Sequence, residues 1–376
     1  MLNDFVRYDQ SGAFSQGRTL LQRLHIDIYL FMALLLVAMA GLIILYSATG
    51  GDLGAVSRQM VRFGVGFLAM FIVAQFDPRF FQQWSGVLYG VGLLLLLAVL
   101  YAGAHAKGAQ RWLDIFGLFR FQPSELVKVT VPIMLAWYLA RRGMPPKFRH
   151  ILLALIILFV PTVLIVMQPD LGTSVLIAAS GVFVIFLAGL SWKLIASAVV
   201  LALGSLPAMW LFVLHDYQKQ RVLTFLNPES DPLGAGWNII QSKTAIGSGG
   251  LYGKGYLHGT QSQLDFLPES HTDFIIAVLS EELGLIGVVA LLVCYFLIIW
   301  RGSYIAINAR DSFCRLLAGA LTLTFFIYVF VNIGMVSGLL PVVGVPLPLV
   351  SYGGTSIVSL LGSFGILMSI STHKRT

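Results

Sequence analysis

Apolar residues gather in ten runs, and the polar residues are largely confined to the gaps between them. The runs fall at roughly 27–47, 57–76, 84–103, 124–140, 150–167, 172–190, 192–214, 273–299, 313–336 and 350–371. About 20 consecutive apolar residues suffice for a helix to cross a bilayer. The expected fold class is all-α, a polytopic membrane protein of about ten transmembrane helices with one large extracytoplasmic loop. The fourth and sixth spans begin in polar residues, Gln122-Pro123-Ser124-Glu125 and Gln168-Pro169-Asp170. A proline suits the first turn of a helix, where its missing N–H would have no partner in any case.

Lysine and arginine in the short gaps set the orientation. With the N-terminus inside, one side receives Arg7, Arg18, Arg23, Arg79, Arg141, Arg142, Lys147, Arg149, Lys193, Arg301, Arg310, Arg315, Lys374 and Arg375. The other receives Arg58, Lys107, Arg111 and Arg120, and otherwise only the lysines and arginine of one long segment, which count little in this rule. Both termini are therefore expected in the cytoplasm, with residues 1–26 as a cytoplasmic tail, 27–376 as the transmembrane domain and 215–272 as the extracytoplasmic loop. That loop interleaves glycines (Gly247, Gly249, Gly250, Gly253, Gly255) with Trp237, Ile239, Tyr252 and Tyr256. Its apolar content predicts a segment lying on the membrane or dipping into it.

Composition narrows the function classes. With 57% hydrophobic and 11% charged residues, the chain has too little polar surface to be wetted as a soluble globule. Its net charge of +7 would suggest nucleic acid in a soluble protein, but here it is explained by orientation signals and anionic headgroups. Cys294 and Cys314 lie in or beside spans, match no metal or haem spacing, and predict no structural disulfide. Gly249-Gly250-Leu251-Tyr252-Gly253-Lys254-Gly255 lacks the Ser or Thr that follows the lysine of a phosphate loop, and no strand precedes it. It reads as a turn-rich loop.

Ionisable residues inside spans are the informative ones, because charge in hydrocarbon must be paired or used. Glu125 and Lys128, three residues apart, share a helix face and either stabilise the bundle as a pair or present a cation to an anionic headgroup. Asp170 suits a helix cap or a site. Glu281 and Glu282 need partners, by helix-helix pairing or in a functional role. The densest cluster is Asp265-Phe266-Leu267-Pro268-Glu269-Ser270-His271-Thr272-Asp273-Phe274. Thr272 or Asp273 can cap the eighth span; carboxylates at headgroup level can also serve as a general base or a metal site acting on a lipid-linked substrate.

Five stretches carry a resemblance. They are Gly259-Thr260-Gln261-Ser262-Gln263-Leu264 running into the cluster and Glu281-Glu282-Leu283-Gly284; Arg111-Trp112-Leu113 before Gln122-Pro123-Ser124-Glu125-Leu126-Val127-Lys128; Gln168-Pro169-Asp170-Leu171-Gly172-Thr173; Gly247 to Gly255; and Pro346-Leu347-Pro348-Leu349-Val350-Ser351-Tyr352-Gly353-Gly354. Together they resemble the SEDS family across nearly the whole chain after the N-terminal tail. The Gly-Thr-Gln-Ser-Gln lead-in and the short termini are more similar to its elongation branch than to its division branch. The resemblance implies a peptidoglycan glycosyltransferase of the cell inner membrane that polymerises lipid II. Its implied partners are a class B penicillin-binding protein and other elongation proteins. It implies Asp273 as the essential aspartate, and Arg111, Arg120, Glu125, Lys128, Asp170 and Glu269 as substrate-binding positions. Lys243 joins them on charge and place alone. A divalent cation such as Mg or Mn bridging Asp273 or Glu269 to pyrophosphate is left open.

Two other classes compete. A flippase of the lipid-linked precursor would line its path with Lys128, Glu281 and Glu282, whereas a scaffold would only recruit the transpeptidase. The carboxylates gather mostly on one side of the membrane, which favours the transferase.

Overall fold

A computed structural model describes residues 24–106, 109–115, 119–213, 216–230, 236–264, 266 and 270–373. In chain order the elements are α1 (Ile28–Ala48), α2 (Leu53–Gln75), α3 (Pro78–Ala102), β1 (Ala104–Ala106), β2 (Ala109–Ile115), β3 (Phe119–Phe121), α4 (Pro123–Ala140), α5 (Phe148–Val166), α6 (Leu171–Leu187) and α7 (Trp192–Ala208). Then follow α8 (Asp216–Leu226), α9 (Trp237–Gly249) and α10 (Thr260–Gln263) within the long loop, and α11 (Ile275–Ile307), α12 (Ser312–Val336) and α13 (Thr355–Thr372). Ten helices, α1 to α7 and α11 to α13, occupy the ten apolar runs, so the body is an all-α polytopic membrane bundle. Among the described residues, seven of them are long and apolar enough to cross a membrane by length and composition. The other three are α4, with Glu125 and Lys128 in its first turns, and the 17-residue α6 and α7.

Boundaries moved where polar chemistry outran hydropathy. Helices α2 and α3 start earlier than their apolar runs, because Asp52 and Asp77 cap them. Each carboxylate accepts a backbone N–H at 2.7 Å, from Gly54 and Arg79 respectively. Pro78 occupies the first turn of α3. Between α3 and α4, the connection carries a small antiparallel sheet of order β1-β2-β3, with Asp114 opposite Arg120.

Helix α12 is the most buried of the long helices. It packs against α4, α6 and α11, while α13 lies along α2. The irregular segment 337–354 returns through this core, and side chains satisfy its carbonyls, as a non-helical backbone among spans requires. Asn332 Nδ2 donates to Val345 O at 2.7 Å, Tyr295 OH to Pro348 O at 2.6 Å, and Gln59 Nε2 to Ser351 O at 3.1 Å.

The long loop is fastened to α11 through backbone. Helix α9 buries Ile239, Ser242, Ala245 and Gly249, and a Cβ at Gly249 would collide with the Ser280 carbonyl. Helix α11 breaks at Gly284, whose φ of 64° and ψ of −161° are non-helical. Loop groups take the places of the interrupted helix bonds. Lys254 N donates to Glu281 O at 2.9 Å, Gly255 N to Glu282 O at 3.0 Å, and Leu285 N to Gly250 O at 3.0 Å. The Glu281 side chain, fully buried, accepts from Lys254 Nζ at 2.7 Å, Thr260 N at 2.8 Å and Gln261 N at 3.1 Å. Glu282 accepts from Ser47 Oγ of α1 at 2.6 Å. Both carboxylates thus have structural partners, and the glycine-rich turns are anchored.

At the other end of α11, Arg301 clamps Asp27. Its Nη2 lies 2.7 Å from Oδ2, and Ser371 Oγ donates to the same oxygen at 2.6 Å. One carboxylate therefore joins the start of α1 to α11 and α13. Beside it, the His25 and His373 rings stack with centroids 3.8 Å apart.

Candidate active site

Helix α4 brings the first pair together. With Pro123 in its first turn, Glu125 and Lys128 stand one turn apart on one face, and Lys128 Nζ lies 2.7 Å from Glu125 Oε1. The other carboxylate oxygen accepts from Ser359 Oγ of α13 at 2.7 Å, and the ammonium lies 5.1 Å from the Tyr328 ring centroid on α12. The pair is therefore buried but fully partnered.

A second cluster forms at the turn into α6. Asp170 caps that helix through Thr173 N at 3.2 Å, and its Oδ2 accepts from Gln122 Nε2 at 3.0 Å. Arg111, on β2, reaches Asp170 Oδ1 at 3.8 Å and donates to the carbonyls of Gln168 and Pro169. Capping and site readings of Asp170 coincide, because the cap also orients the arginine.

These groups line one cavity of about 910 Å³, which holds Arg111, Gln122, Glu125, Lys128 and Asp170 on its walls. Its remaining wall carries residues that sequence reasoning passed over. Arg62 of α2 and Tyr352 line it too, with the guanidinium 4.2 Å from the tyrosine ring centroid. Arg58 Nε donates to Tyr352 OH at 3.2 Å. Two signals were present: arginines at i and i+4, hence on one helix face, and the Ser351-Tyr352-Gly353-Gly354 string.

Asp273 precedes α11 and stands against this cavity. A Cβ on Gly344, a cavity-lining residue, would sit 3.5 Å from Asp273 Oδ2. That is ordinary contact distance, and it is the φ of +72° that favours glycine here. The 271–273 stretch is pinned by backbone. Asn332 Nδ2 donates to Asp273 O at 2.9 Å, Ser351 Oγ to Thr272 O at 2.5 Å, and Tyr352 N to His271 O at 2.9 Å.

Four expected positions thus meet at the cavity, with Asp273 adjoining it. Lys243 does not join them. It is exposed on α9 and packs over Gly338. Glu269 lies outside the described residues. Arg120 is on β3, but its side chain lies outside them as well. Among the described residues, no three His, Cys, Asp or Glu side chains converge as a metal site. A divalent cation here would draw further ligands from phosphate oxygens.

Chemically, the cavity offers Arg111, Arg62 and Lys128 as fixed cations for phosphate oxygens. It also has a carboxylate at its edge and an apolar lining from Val61, Val65, Leu176 and Val358.

Known proteins resemble this chain over nearly its whole length. Residues 21–376 match the FtsW/RodA/SpoVE model, described as cell cycle protein. The chain is 54% identical to the peptidoglycan glycosyltransferase MrdB of Escherichia coli K12, covering 95% of this chain and 96% of that protein. It is 37% identical to stage V sporulation protein E of Bacillus subtilis, covering 93% and 98%. Among solved structures it superposes on a chain of a peptidoglycan synthase complex with a TM-score of 0.81 at 32% identity, covering 92% of this chain and 97% of that one. On the rod shape determining protein RodA of Thermus thermophilus the TM-score is 0.69 at 29% identity, covering 92% and 96%. Match over nearly the whole length, in sequence and in fold, means that this chain belongs to the FtsW/RodA/SpoVE family of cell cycle proteins.

Proposed function

We propose that the protein is a peptidoglycan glycosyltransferase that polymerises lipid II into glycan strands during cell elongation. It does so in the cell inner membrane together with a class B penicillin-binding protein. Both termini are cytoplasmic, residues 1–26 form the tail, and the 215–272 loop and the cavity face outward. The carrying observation is one cavity with Arg111, Arg62 and Lys128 on its walls and Asp273 against its edge.

In the reaction a sugar hydroxyl attacks an anomeric carbon, and the bond from that carbon to the lipid pyrophosphate breaks. Asp273 takes the hydroxyl proton as the new glycosidic bond forms, because an un-ionised hydroxyl is a weak nucleophile near neutral pH. The departing pyrophosphate leaves with the bonding electron pair, and Arg111 and Lys128 stabilise that charge in place. Glu125 and Asp170 aim these cations, while Arg62 and Tyr352 hold the opposite wall. Arg120, Glu269 and Lys243 remain substrate-binding candidates by resemblance or charge.

A flippase reading loses its polar path, since Glu281 and Glu282 are committed to the loop and to Ser47. Purified protein with its partner, given lipid II in detergent, should make glycan polymer. There is no bilayer to be crossed there, so absence of polymer would return the reading to transport.

A further inference from the structure

A second cavity, of about 1020 Å³, opens on the outer face of the bundle between α1 and α11, away from the catalytic cavity. Met32, Leu36 and Ile43 line it on one side and Leu297 and Trp300 on the other, and Arg301 closes one end. Lipid-facing helices always expose apolar side chains, so exposure alone carries nothing. What distinguishes this face is a concavity with a cation at its end.

Its length suits a hydrocarbon chain. From Ile28 to Ile43 the groove follows α1 for roughly 22 Å at helical rise. The length exceeds half of a hydrocarbon core about 30 Å thick, so an acyl chain entering at one end is seated over its whole length.

The polar end selects the headgroup. Asp27 holds the Nε and Nη2 edge of Arg301 at 3.0 and 2.7 Å, while the side chain remains 22% exposed. Tyr29 and Tyr304 flank the guanidinium, with centroids 5.0 and 4.9 Å away. Aromatic rings and an arginine at a helix end are what the headgroup level of a bilayer selects. Asp27 offsets part of the charge, but Arg79, Arg141, Arg142, Lys147, Arg310 and Arg315 share this side of the chain and draw anionic lipid toward it. Arg301 lies 26 residues beyond the start of α11, roughly 39 Å of helix from the Asp273 end. The groove is therefore not an extension of the catalytic cavity.

We propose that this groove is a binding site for an anionic phospholipid of the leaflet at the Arg301 end, its phosphate on Arg301 and an acyl chain lying along α1.

The test uses full-length protein in vesicles containing brominated-chain phosphatidylglycerol or brominated-chain phosphatidylcholine. Tryptophan fluorescence is read for the wild type and for Trp300→Phe, so that the difference isolates Trp300. Trp300 should be quenched at a several-fold lower mole fraction of phosphatidylglycerol than of phosphatidylcholine. Arg301→Gln should erase that preference. Because this change also breaks the Asp27 clamp, Ala40→Phe, which fills the groove and leaves the clamp intact, should weaken quenching by both lipids. Equal quenching by the two lipids in the wild type would reduce the groove to ordinary lipid-facing surface. Quenching by neither would mean that a protein chain covers it. An unchanged Ala40→Phe profile would place the lipid elsewhere. Each of these overturns the proposal.

Discussion

The two ends of α11 use charge in opposite ways. At the Arg301 end, one carboxylate collects a guanidinium, a serine hydroxyl and a backbone N–H, and the groove beside the pair is otherwise lined by apolar and aromatic side chains. At the Asp273 end, three cations and two carboxylates line a chamber of about 910 Å³. Charges closed on one another hold helices together. Charges arranged around empty volume are held ready for a ligand, and their mutual spacing costs stability that the bundle supplies elsewhere.

The sharpest way to break the comparison is Asp273→Asn. It preserves shape and the backbone bond from Asn332 but cannot accept a proton. The loss expected for a general base is about 10²–10⁴-fold in polymerisation, with membrane accumulation intact. Near-normal polymer from lipid II would remove Asp273 from that role.

Lys128→Met comes next. Losing one pre-placed charge donor should lower turnover by about 10²–10³-fold. The change also strands Glu125, a fault typically costing about 3–5 kcal/mol, so thermal unfolding is measured alongside activity. Restored folding without restored activity in Glu125→Gln/Lys128→Met would separate the two roles.

Asp27→Asn tests the other end. The clamp should weaken and the midpoint of thermal unfolding fall by several degrees, while turnover per folded molecule stays close to wild type. A collapse of turnover without any loss of stability would erase the contrast.

The smallest effect is expected at Asp311, just outside α12. Burial alone would raise its carboxyl, but the Cys314 N–H and Arg310 outweigh it and hold it below the ordinary carboxylate range. A lowered value stabilises the fold above the ordinary carboxylate range and fades as pH falls through the lowered one. Asp311→Ala should therefore cost about 1 kcal/mol at neutral pH, as a lost N-cap does. The difference from wild type should shrink below about pH 4. A pH-independent difference would assign the effect to packing.

Sequence alone carried the spans, since hydropathy is a local property, and it carried the Glu125–Lys128 pair, since helical spacing is local too. Caps at Asp52 and Asp77 were legible but overshadowed by the apolar runs behind them. What escaped was tertiary. Nothing local says that Arg111 meets Asp170 or that Ser359 takes the second oxygen of Glu125. Arg58 was read only as an orientation signal and Arg62 went unread, because their common partner, Tyr352, lies some 290 residues away. Lys243 failed to reach the cavity because charge and approximate depth do not fix where a helix on a loop points. The Gly284 break was also hidden, for a single glycine in an apolar run is usually tolerated within a helix.

That break divides α11 mechanically. Residues 275–283 form a stub of nine residues, far short of the roughly 20 that a membrane crossing needs. The 23 residues at 285–307 do the crossing. The stub is bonded to the loop through Glu281 and the backbone of 254–255, and Asp273 sits at its tip. Stub and loop are thus one bonded unit, set off from the crossing helix at Gly284. A force applied to the loop from outside the membrane therefore reaches the carboxylate's own segment first, and passes to α1 and α12 through Ser47 and Asn332.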